Sequence, residues 1–153
     1  MEKITPFLWF DKEAGEAAKF YASVFKNSKI KSATTLDNTP SGTVEIVTIE
    51  LLGNEFILMS AGPLFKFNEA ISFVVNCETQ EEIDYYWENL STDKKAEQCG
   101  WLKDKYGLSW QIVPIVLSKM LQDNDAKKVA RVTEAFLKMK KFDIEILKRA
   151  YEG

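Results

Sequence analysis

Residues 4–25, ITPFLWFDKEAGEAAKFYASVF, predict a β-strand that leads directly into an amphipathic helix. Residues 4–11 favour a strand, and small or apolar side chains then recur at helical spacing, namely Ala14, Ala17, Ala18, Tyr21, Val24 and Phe25. The same order returns over residues 69–90, where EAISFVVNC precedes a second amphipathic helix. Thr79 and Glu82 have the spacing of a capping box at the start of that helix. The chain therefore contains a strand–helix segment twice.

Strand-forming sequences follow each helix. Residues 29–36 and 43–60 are rich in β-favouring residues, and Gly53-Asn54 has the character of a hairpin turn. Residues 98–114, QCGWLKDKYGLSWQIVP, contain two short strands around a turn at residues 105–107. Each half of the chain thus consists of a strand, a helix and about three strands.

These segments define the domain organisation that we predict. We expect a single domain over residues 1–153, of the α+β class, with module one at 1–62, a linker at 63–68 and module two at 69–114. Residues 37–42, DNTPSG, are expected to form a loop within module one. Beyond Pro114 the apolar spacing is helical, and Asp143 is a candidate cap, so residues 115–153 are expected to form a helical appendage.

The composition bounds the environment and the partners. The chain is 46% hydrophobic and 28% charged, and no apolar run is long enough to cross a membrane. The N-terminal residues lack the features of a signal peptide, so we expect a cytoplasmic protein in which Cys77 and Cys99 are reduced thiols. The formal net charge of −3 argues against a nucleic-acid partner.

The absence of histidine excludes much ordinary enzymology. The sequence contains no histidine, which is the commonest metal ligand and the usual general base near neutral pH. Neither a Ser-His-Asp relay nor a histidine-based zinc or iron site can be built. Chemistry by carboxylate, thiolate, tyrosine or lysine remains open, as does a protein without catalytic activity.

Four stretches carry a resemblance to a known family: residues 4–30, residues 66–77 (KFNEAISFVVNC), residues 98–114 and residues 131–153 (RVTEAFLKMKKFDIEILKRAYEG). Together they resemble the PhnB-like branch of the vicinal oxygen chelate superfamily of glyoxalase-like proteins, which is also labelled as a 3-demethylubiquinone-9 3-methyltransferase domain. The resemblance covers essentially the whole chain. It implies paired βαβββ modules, related to ferredoxin-like repeats, whose sheets curl around a cup, and it implies a two-fold symmetric homodimer.

The resemblance also implies where metal ligands would lie, on the first and last strand of each module. The positions that match in this sequence are Ile4 or Thr5, Leu58 or Met59, Glu69 or Ala70, and Gln111. Only Glu69 and Gln111 have side-chain donor oxygens of the expected kind, so we expect no metal. We also expect no cofactor, because the seven glycines form no G-x-G pattern of the type that binds S-adenosylmethionine in a doubly wound fold.

The residues that we predict to bind a ligand in the cup are Trp9, Met59, Phe67, Glu69, Trp101, Trp110 and Gln111. Gln111 either orients a small ligand or is a buried amide bonded to neighbouring backbone. Trp110 and Gln111 alternate along their strand, so we expect one of them to face the cup and the other the helical layer. The tryptophans have an alternative role in the core. Glu69 is the candidate catalytic base if burial raises its pKa, with exposure to solvent or pairing to Lys66 as the alternative.

Three functions are compatible with these expectations. The first is a metal-free protein that binds a small, partly apolar molecule in the cup. The second is an enzyme on a small aromatic or quinone-like substrate, with Glu69, Tyr106 or a recruited metal supplying the chemistry. The third is a structural homodimer that needs no ligand. Cys99 has two possible roles, as a thiolate nucleophile or as a small hydrophobic residue.

Overall fold

The computed structural model describes residues 3–153, which fold into two compact units with their boundary between Phe67 and Asn68. The elements of the first unit are β1 (Phe7–Phe10), α1 (Ala14–Val24), β2 (Lys29–Thr39), β3 (Gly42–Leu51) and β4 (Asn54–Ser60). Those of the second unit are β5 (Ser72–Cys77), α2 (Gln80–Leu90), a 3-10 helix (Lys94–Ala96), β6 (Trp101–Lys103), β7 (Ser109–Pro114), α3 (Ile115–Leu121), α4 (Ala126–Leu137) and α5 (Ile144–Glu152).

Each unit has one mixed sheet with the same underlying pattern. The strand order of the first sheet is β1-β4-β3-β2, in which β1 is parallel to β4 and the other pairs are antiparallel. In the second sheet the order is β5-β7-β6, with β5 parallel to β7 and β6 antiparallel to β7. In both units the strand before the helix thus pairs with the last strand of the sheet. The α+β class and the repeated strand–helix order are confirmed, and α3–α5 form the predicted helical C-terminus.

The second unit has two strands after its helix, one fewer than the pattern of about three predicts. The segment between α2 and β6 is polar, without the alternation that buries one face of a strand. The Asp93 side chain accepts a hydrogen bond from the Lys95 amide and starts the 3-10 helix there. Gln98 then forms an isolated bridge with Trp101, the first residue of β6.

β1 and β5 begin later than predicted, and β2 and β3 extend further than predicted. β1 starts at Phe7 rather than at residue 4, directly after Pro6, which has no amide hydrogen to donate to a sheet. The Asn68 side chain accepts a hydrogen bond from the Ala70 amide, a local turn that precedes β5. β2 and β3 extend into the predicted loop at 37–42, because their pairing continues to Thr39 and Gly42.

The β3–β4 hairpin turns one residue earlier than predicted. Leu52 and Gly53, with φ of 49° and 83°, occupy the turn, and Asn54 is already the first residue of β4. Two successive positive φ values are the signature of the tight hairpin turn that suits the twist of the flanking strands.

In the first unit, the buried side of α1 faces the sheet, and two strand residues cap its N-terminus. Ser60 Oγ accepts a hydrogen bond from the Ala14 amide at 2.9 Å, and Glu45 Oε2 accepts one from the Gly15 amide at 3.2 Å. Glu45 and Ser60 are register partners on β3 and β4. The negative carboxylate also stabilises the positive end of the helix dipole, so the sheet fixes where α1 starts.

In the second unit, α2 packs on the sheet and the C-terminal helices are tied to it through backbone groups. Gln80 donates to the Phe142 carbonyl at 3.0 Å and accepts from the Ile144 amide at 2.9 Å. Thr79 and Asp143 are confirmed as caps, since Thr79 Oγ1 accepts from the Glu82 amide and Asp143 Oδ1 accepts from the Ile146 amide. The other half of the predicted capping box differs, because the Glu82 carboxylate accepts from the Glu78 amide and not from that of Thr79. The helical appendage is therefore an integral part of this unit.

Within residues 3–153, none of the helices combines the length and the apolar character that a membrane span requires.

Candidate functional site

One face of the second sheet brings together most of the polar side chains that its strands carry. Register partners point to the same side of a sheet. Ser72, Ser109 and Lys103 form one rung across β5, β7 and β6, and Val74, Gln111 and Trp101 form the next rung on the same face. We call these six residues the Gln111 face. All three residues of the Ser109 rung are polar. In the next rung, Gln111 has an apolar residue on each side.

The opposite face of this sheet is core. Trp110 and its register partners Phe73 and Leu102 alternate with the residues of the Gln111 face. Trp110 is almost fully buried, and its indole N–H donates to Asp104 Oδ2 at 2.9 Å. Trp110 therefore lies on the other side of the sheet from Gln111. It is in the core, which is the alternative role considered for the tryptophans above. The predicted alternation of the two residues is confirmed, and Trp110 is the one that faces the core.

Asp104 explains why the hairpin needs that tryptophan. Its carboxylate is 3% exposed and accepts hydrogen bonds from the Tyr106 amide at 2.9 Å and the Leu108 amide at 3.1 Å, besides that from the Trp110 indole. These bonds fix the turn between β6 and β7. Sequence reasoning missed Asp104, although an aspartate at the start of a turn that contains glycine is a recognised signal for such bonds.

Gln111 contacts a side chain rather than the backbone. Its Nε2 donates to Ser72 Oγ at 2.9 Å, diagonally across the Gln111 face. Among the described residues, the other polar atom of the amide, Oε1, has no hydrogen-bond partner. The Gln111 side chain is half-buried, so this acceptor is available to a ligand or to water.

Ser109, the middle residue of the polar rung, is only 1% exposed, yet its hydroxyl has no hydrogen-bond partner within residues 3–153. A hydroxyl that is buried without a partner costs free energy, and almost all such groups in native proteins are paired with protein atoms or with water. Ser72, Lys103 and Ser109 were missed by the sequence analysis. The period of two that places Gln111 on this face also places Ser109 and Lys103 there, and that signal was available.

Glu69 lies just before β5 and forms an ion pair with Lys103, with Oε1 2.5 Å from Nζ. The carboxylate side chain is 64% exposed and the lysine side chain 23% exposed. The hydrogen bond from Lys103, with a smaller contribution from the backbone, lowers the pKa of Glu69. The hypothesis of a base whose pKa is raised by burial is therefore wrong. The side chain is exposed, as the alternative has it, and its partner is Lys103 rather than Lys66.

In the first unit, Trp9 and Met59 are register partners on one face, with Ile46 beside Met59. The Trp9 indole N–H donates to the Gly62 carbonyl at 2.9 Å, and its ring meets Phe65 edge-on with centroids 5.0 Å apart. This face is apolar and half-exposed.

Phe67 packs edge-on against Phe10, whose side chain alternates with that of Trp9 along β1. Of the three predicted ligand-binding residues of the first unit, the structure brings Trp9 and Met59 together. It separates Phe67 from them by the thickness of the sheet.

The donor groups on these faces do not fit a catalytic divalent ion. Because β1 and β5 begin at Phe7 and Ser72, the first-strand positions proposed for metal ligands, Ile4, Thr5, Glu69 and Ala70, precede the strands. Gln111 has Val74 and Trp101 as register partners, and the Lys103 ammonium group on the same face disfavours a cation. Within residues 3–153, no three of the Cys, Asp and Glu side chains group closely enough to hold a metal ion.

The two thiols differ in burial, since Cys77 is buried and Cys99 is partly exposed. Cys77 is fully buried, and desolvation, with a smaller effect from Glu82, raises its pKa to about 12. At pH 8 only about one Cys77 side chain in ten thousand is then a thiolate, the form that reacts. We therefore expect dithionitrobenzoate to modify Cys99 in the native protein and Cys77 only after unfolding. The absorbance at pH 8 with and without guanidinium measures this. Two fast thiols in the native wild-type protein, or one fast thiol in native Cys99→Ser, would contradict it.

Comparison with known proteins places the chain in a family. Residues 2–113 match the family described as 3-demethylubiquinone-9 3-methyltransferase. A PhnB protein from Bacillus cereus is 35% identical, covers 74% of this chain and 99% of its own, and superposes with a TM-score of 0.62. No curated protein matches the chain.

Two more distant structures show the shared fold alone. The fosfomycin resistance protein FosX from Listeria monocytogenes is 13% identical with a TM-score of 0.58, covering 80% of this chain and 98% of its own. Protein PA1353 from Pseudomonas aeruginosa is 15% identical with a TM-score of 0.56, covering 74% and 98%. The chain belongs to the 3-demethylubiquinone-9 3-methyltransferase family and is PhnB-like within it.

Proposed function

We propose that this protein binds a small, partly apolar molecule on the Gln111 face of its second sheet, without a metal ion. The observation that carries the proposal is the Ser109 hydroxyl, which is buried without a partner in the middle of that face. In a site built for a ligand, such a group is satisfied when the ligand is bound.

The surrounding side chains supply what a small-molecule site needs. Ligand sites are mostly apolar and contain a few polar groups that fix orientation. Val74 and the half-buried Trp101 ring offer apolar surface on either side of the Gln111 amide. Gln111 offers a free acceptor and an amide that is already held by Ser72. The polar groups thus lie on one rung and at the centre of the next, between apolar flanks.

The family description names a methyl transfer, and the topology of these sheets argues against reading it as a mechanism. Typical methyl transfer from S-adenosylmethionine uses a doubly wound parallel sheet in which a glycine-rich loop leads from the first strand into a helix. Here both sheets are mixed, with orders β1-β4-β3-β2 and β5-β7-β6. Binding is therefore the function that the described residues support best.

The test is a titration with phenol, a neutral probe that has an apolar ring and one hydroxyl. We expect phenol to shift the NMR signals of the Gln111 side-chain amide and of the Trp101 indole. The indole of Trp110, on the opposite face and bonded to Asp104, is the internal control and is expected to stay unchanged. Because one neutral hydrogen bond contributes about 0.5–1.5 kcal/mol, Gln111→Leu should weaken phenol binding about three- to tenfold.

Gln122→Leu, the same chemical change at an exposed helix end, is the matched control and should leave phenol binding unchanged. Equal affinities of the Gln111 and Gln122 variants would refute the orienting role of Gln111. Shifts at Trp110 without shifts at Trp101 would place the binding site elsewhere.

The remaining predictions concern partners. A homodimer, a small-molecule partner and a cytoplasmic location all stay predictions, of which native mass spectrometry of freshly purified, untagged protein tests the first two. We expect a dimer mass with an organic adduct and no metal. One divalent ion per chain would instead favour the enzyme hypothesis.

A further inference from the structure

The Lys103–Glu69 ion pair lies at the polar end of the Gln111 face. Lys103 belongs to the rung of Ser72 and Ser109, and Glu69 is three residues ahead of Ser72, at the same end of β5. The Glu69 carboxylate is thus held beside a lysine whose rung neighbour is the unpartnered Ser109 hydroxyl. From this arrangement we infer that Glu69 occupies the place of a ligand's carboxylate, and that the ligand is a small aromatic or apolar carboxylic acid.

This inference rests on the proposed binding function and names the chemical class of its ligand. Lys103 already holds a carboxylate, so the position suits that group in charge and in geometry. A ligand carboxylate has two oxygens. One can accept from Lys103 Nζ and the other from the Ser109 hydroxyl, which removes the unsatisfied donor of the rung.

The exposure of Ser109, Glu69 and Lys103 supports the replacement of the Glu69 carboxylate by that of a ligand. Ser109 is 1% exposed, so a ligand can reach its hydroxyl only after a neighbouring side chain moves. Glu69 is 64% exposed and lies outside the strands, and its carboxylate can rotate into water, where it remains solvated. Lys103 is 23% exposed and is fixed at its Cα by the pairing of β6 with β7. The glutamate is therefore the mobile partner and the lysine the fixed one.

The neighbouring rung determines the rest of the ligand. Val74 and Trp101 flank Gln111 on the same face, one rung away from Lys103 and Ser109. Adjacent side chains on one face of a strand are about 7 Å apart. A molecule with a carboxylate on one rung and a six-membered ring over the next matches that spacing.

The experiment compares benzoate with benzamide, its neutral analogue of the same shape. Both are titrated into wild-type protein and into the variants Lys103→Gln, Glu69→Gln and Glu134→Gln, with the Gln111 and Trp101 NMR signals as readout. Glu134 is the matched control, because it is an exposed glutamate in an ion pair with Lys138 on α4. Ser109→Ala serves as a second variant of the polar rung.

The expected results differ in sign between variants. Lys103→Gln should weaken benzoate binding about tenfold or more, because hydrogen bonds to charged groups are the strong ones, and should change benzamide binding less than about twofold. Glu69→Gln removes the internal competitor, so it should strengthen benzoate binding about two- to fivefold, in keeping with the weakness of exposed ion pairs. Glu134→Gln should have no effect, and Ser109→Ala should weaken benzoate more than benzamide.

Two other outcomes separate the failure of this inference from the failure of the proposed function. Equal binding of benzoate and benzamide at Gln111 and Trp101, unaffected by Lys103→Gln and Glu69→Gln, would overturn the carboxylate inference and leave the binding face in place. No signal change on the Gln111 face with either of these probes or with phenol would overturn both.

Discussion

Replacing Asp104 by alanine is expected to lower the free energy of unfolding by at least about 3 kcal/mol, because three donors lose their acceptor at once and each unsatisfied buried donor costs about 1–3 kcal/mol. The donors are the amides of Tyr106 and Leu108 and the indole N–H of Trp110. The carboxylate is buried, so water does not replace it without rearrangement of the hairpin. Urea unfolding monitored by tryptophan fluorescence measures the loss.

Asp104→Asn tests whether the bond to the indole has the role assigned to it. Asparagine keeps one oxygen for the two backbone amides and turns an NH2 group toward the Trp110 indole, so two donors then face each other. We expect an intermediate loss, of about 1–3 kcal/mol. Trp110→Phe should cost less in the Asp104→Asn background than in wild-type protein, since the donor conflict disappears.

A matched control separates burial from the mere loss of an aspartate. Asp125 is exposed and accepts hydrogen bonds from the amides of Lys127 and Lys128 at the start of α4. Asp125→Ala should cost about 1 kcal/mol, as loss of a helix cap does. If Asp104→Ala cost no more than this control, the hairpin would not depend on the buried carboxylate.

The fold could be predicted from the sequence because its signals are local and repeated. The apolar spacing of α1 and α2, the Thr79 and Asp143 caps and the hairpin at residues 98–114 are short-range patterns, and the structure contains each of them. The sequence did not lead us to expect that the second unit has one strand fewer than the first. The assumption that the second half repeats the first overrode the polar sequence between α2 and β6.

The candidate site was predictable only in part, because its composition depends on strand register. Gln111 was recognised as the polar residue of an apolar strand, and Trp101 was placed with it. A strand shows which residues alternate, but the partner strand decides what lies beside them, and a shift of one residue exchanges the two faces. Ser72 and Lys103 meet Ser109 only because of the observed pairing, and Glu69 meets Lys103 only because of the path that leads into β5.

Gly100→Ala is the second substitution for which a large effect is expected. Gly100 has a φ of 81°, a region that costs a residue with a side chain about 1–2 kcal/mol. A Cβ atom there would lie 2.4 Å from the Phe142 ring and 3.0 Å from the Ile112 carbonyl oxygen. Overpacking of this kind adds about 1–3 kcal/mol, so we expect a total loss of about 2–5 kcal/mol in the free energy of unfolding.

The backbone around Gly100 cannot move away without breaking other bonds. Its amide donates to the Lys140 carbonyl at 2.7 Å, and its carbonyl accepts from the Ile112 amide at 2.8 Å. The first bond attaches the segment between α4 and α5 to the sheet. Gly100→Ala should therefore loosen the C-terminal helices as well, which hydrogen exchange of the α5 amides would detect as faster exchange than in wild-type protein.

Gly107→Ala distinguishes the conformational cost from the collision. Gly107 has nearly the same φ, 83°, but nothing lies within 4 Å of its Cβ position. Its substitution should cost only about 1–2 kcal/mol. Phe142→Leu should cost less in the Gly100→Ala background than alone, because the smaller side chain relieves the contact. Equal losses for the two glycine variants would mean that the Phe142 ring moves aside freely, and the sheet and the C-terminal helices would then not be rigidly packed at this point.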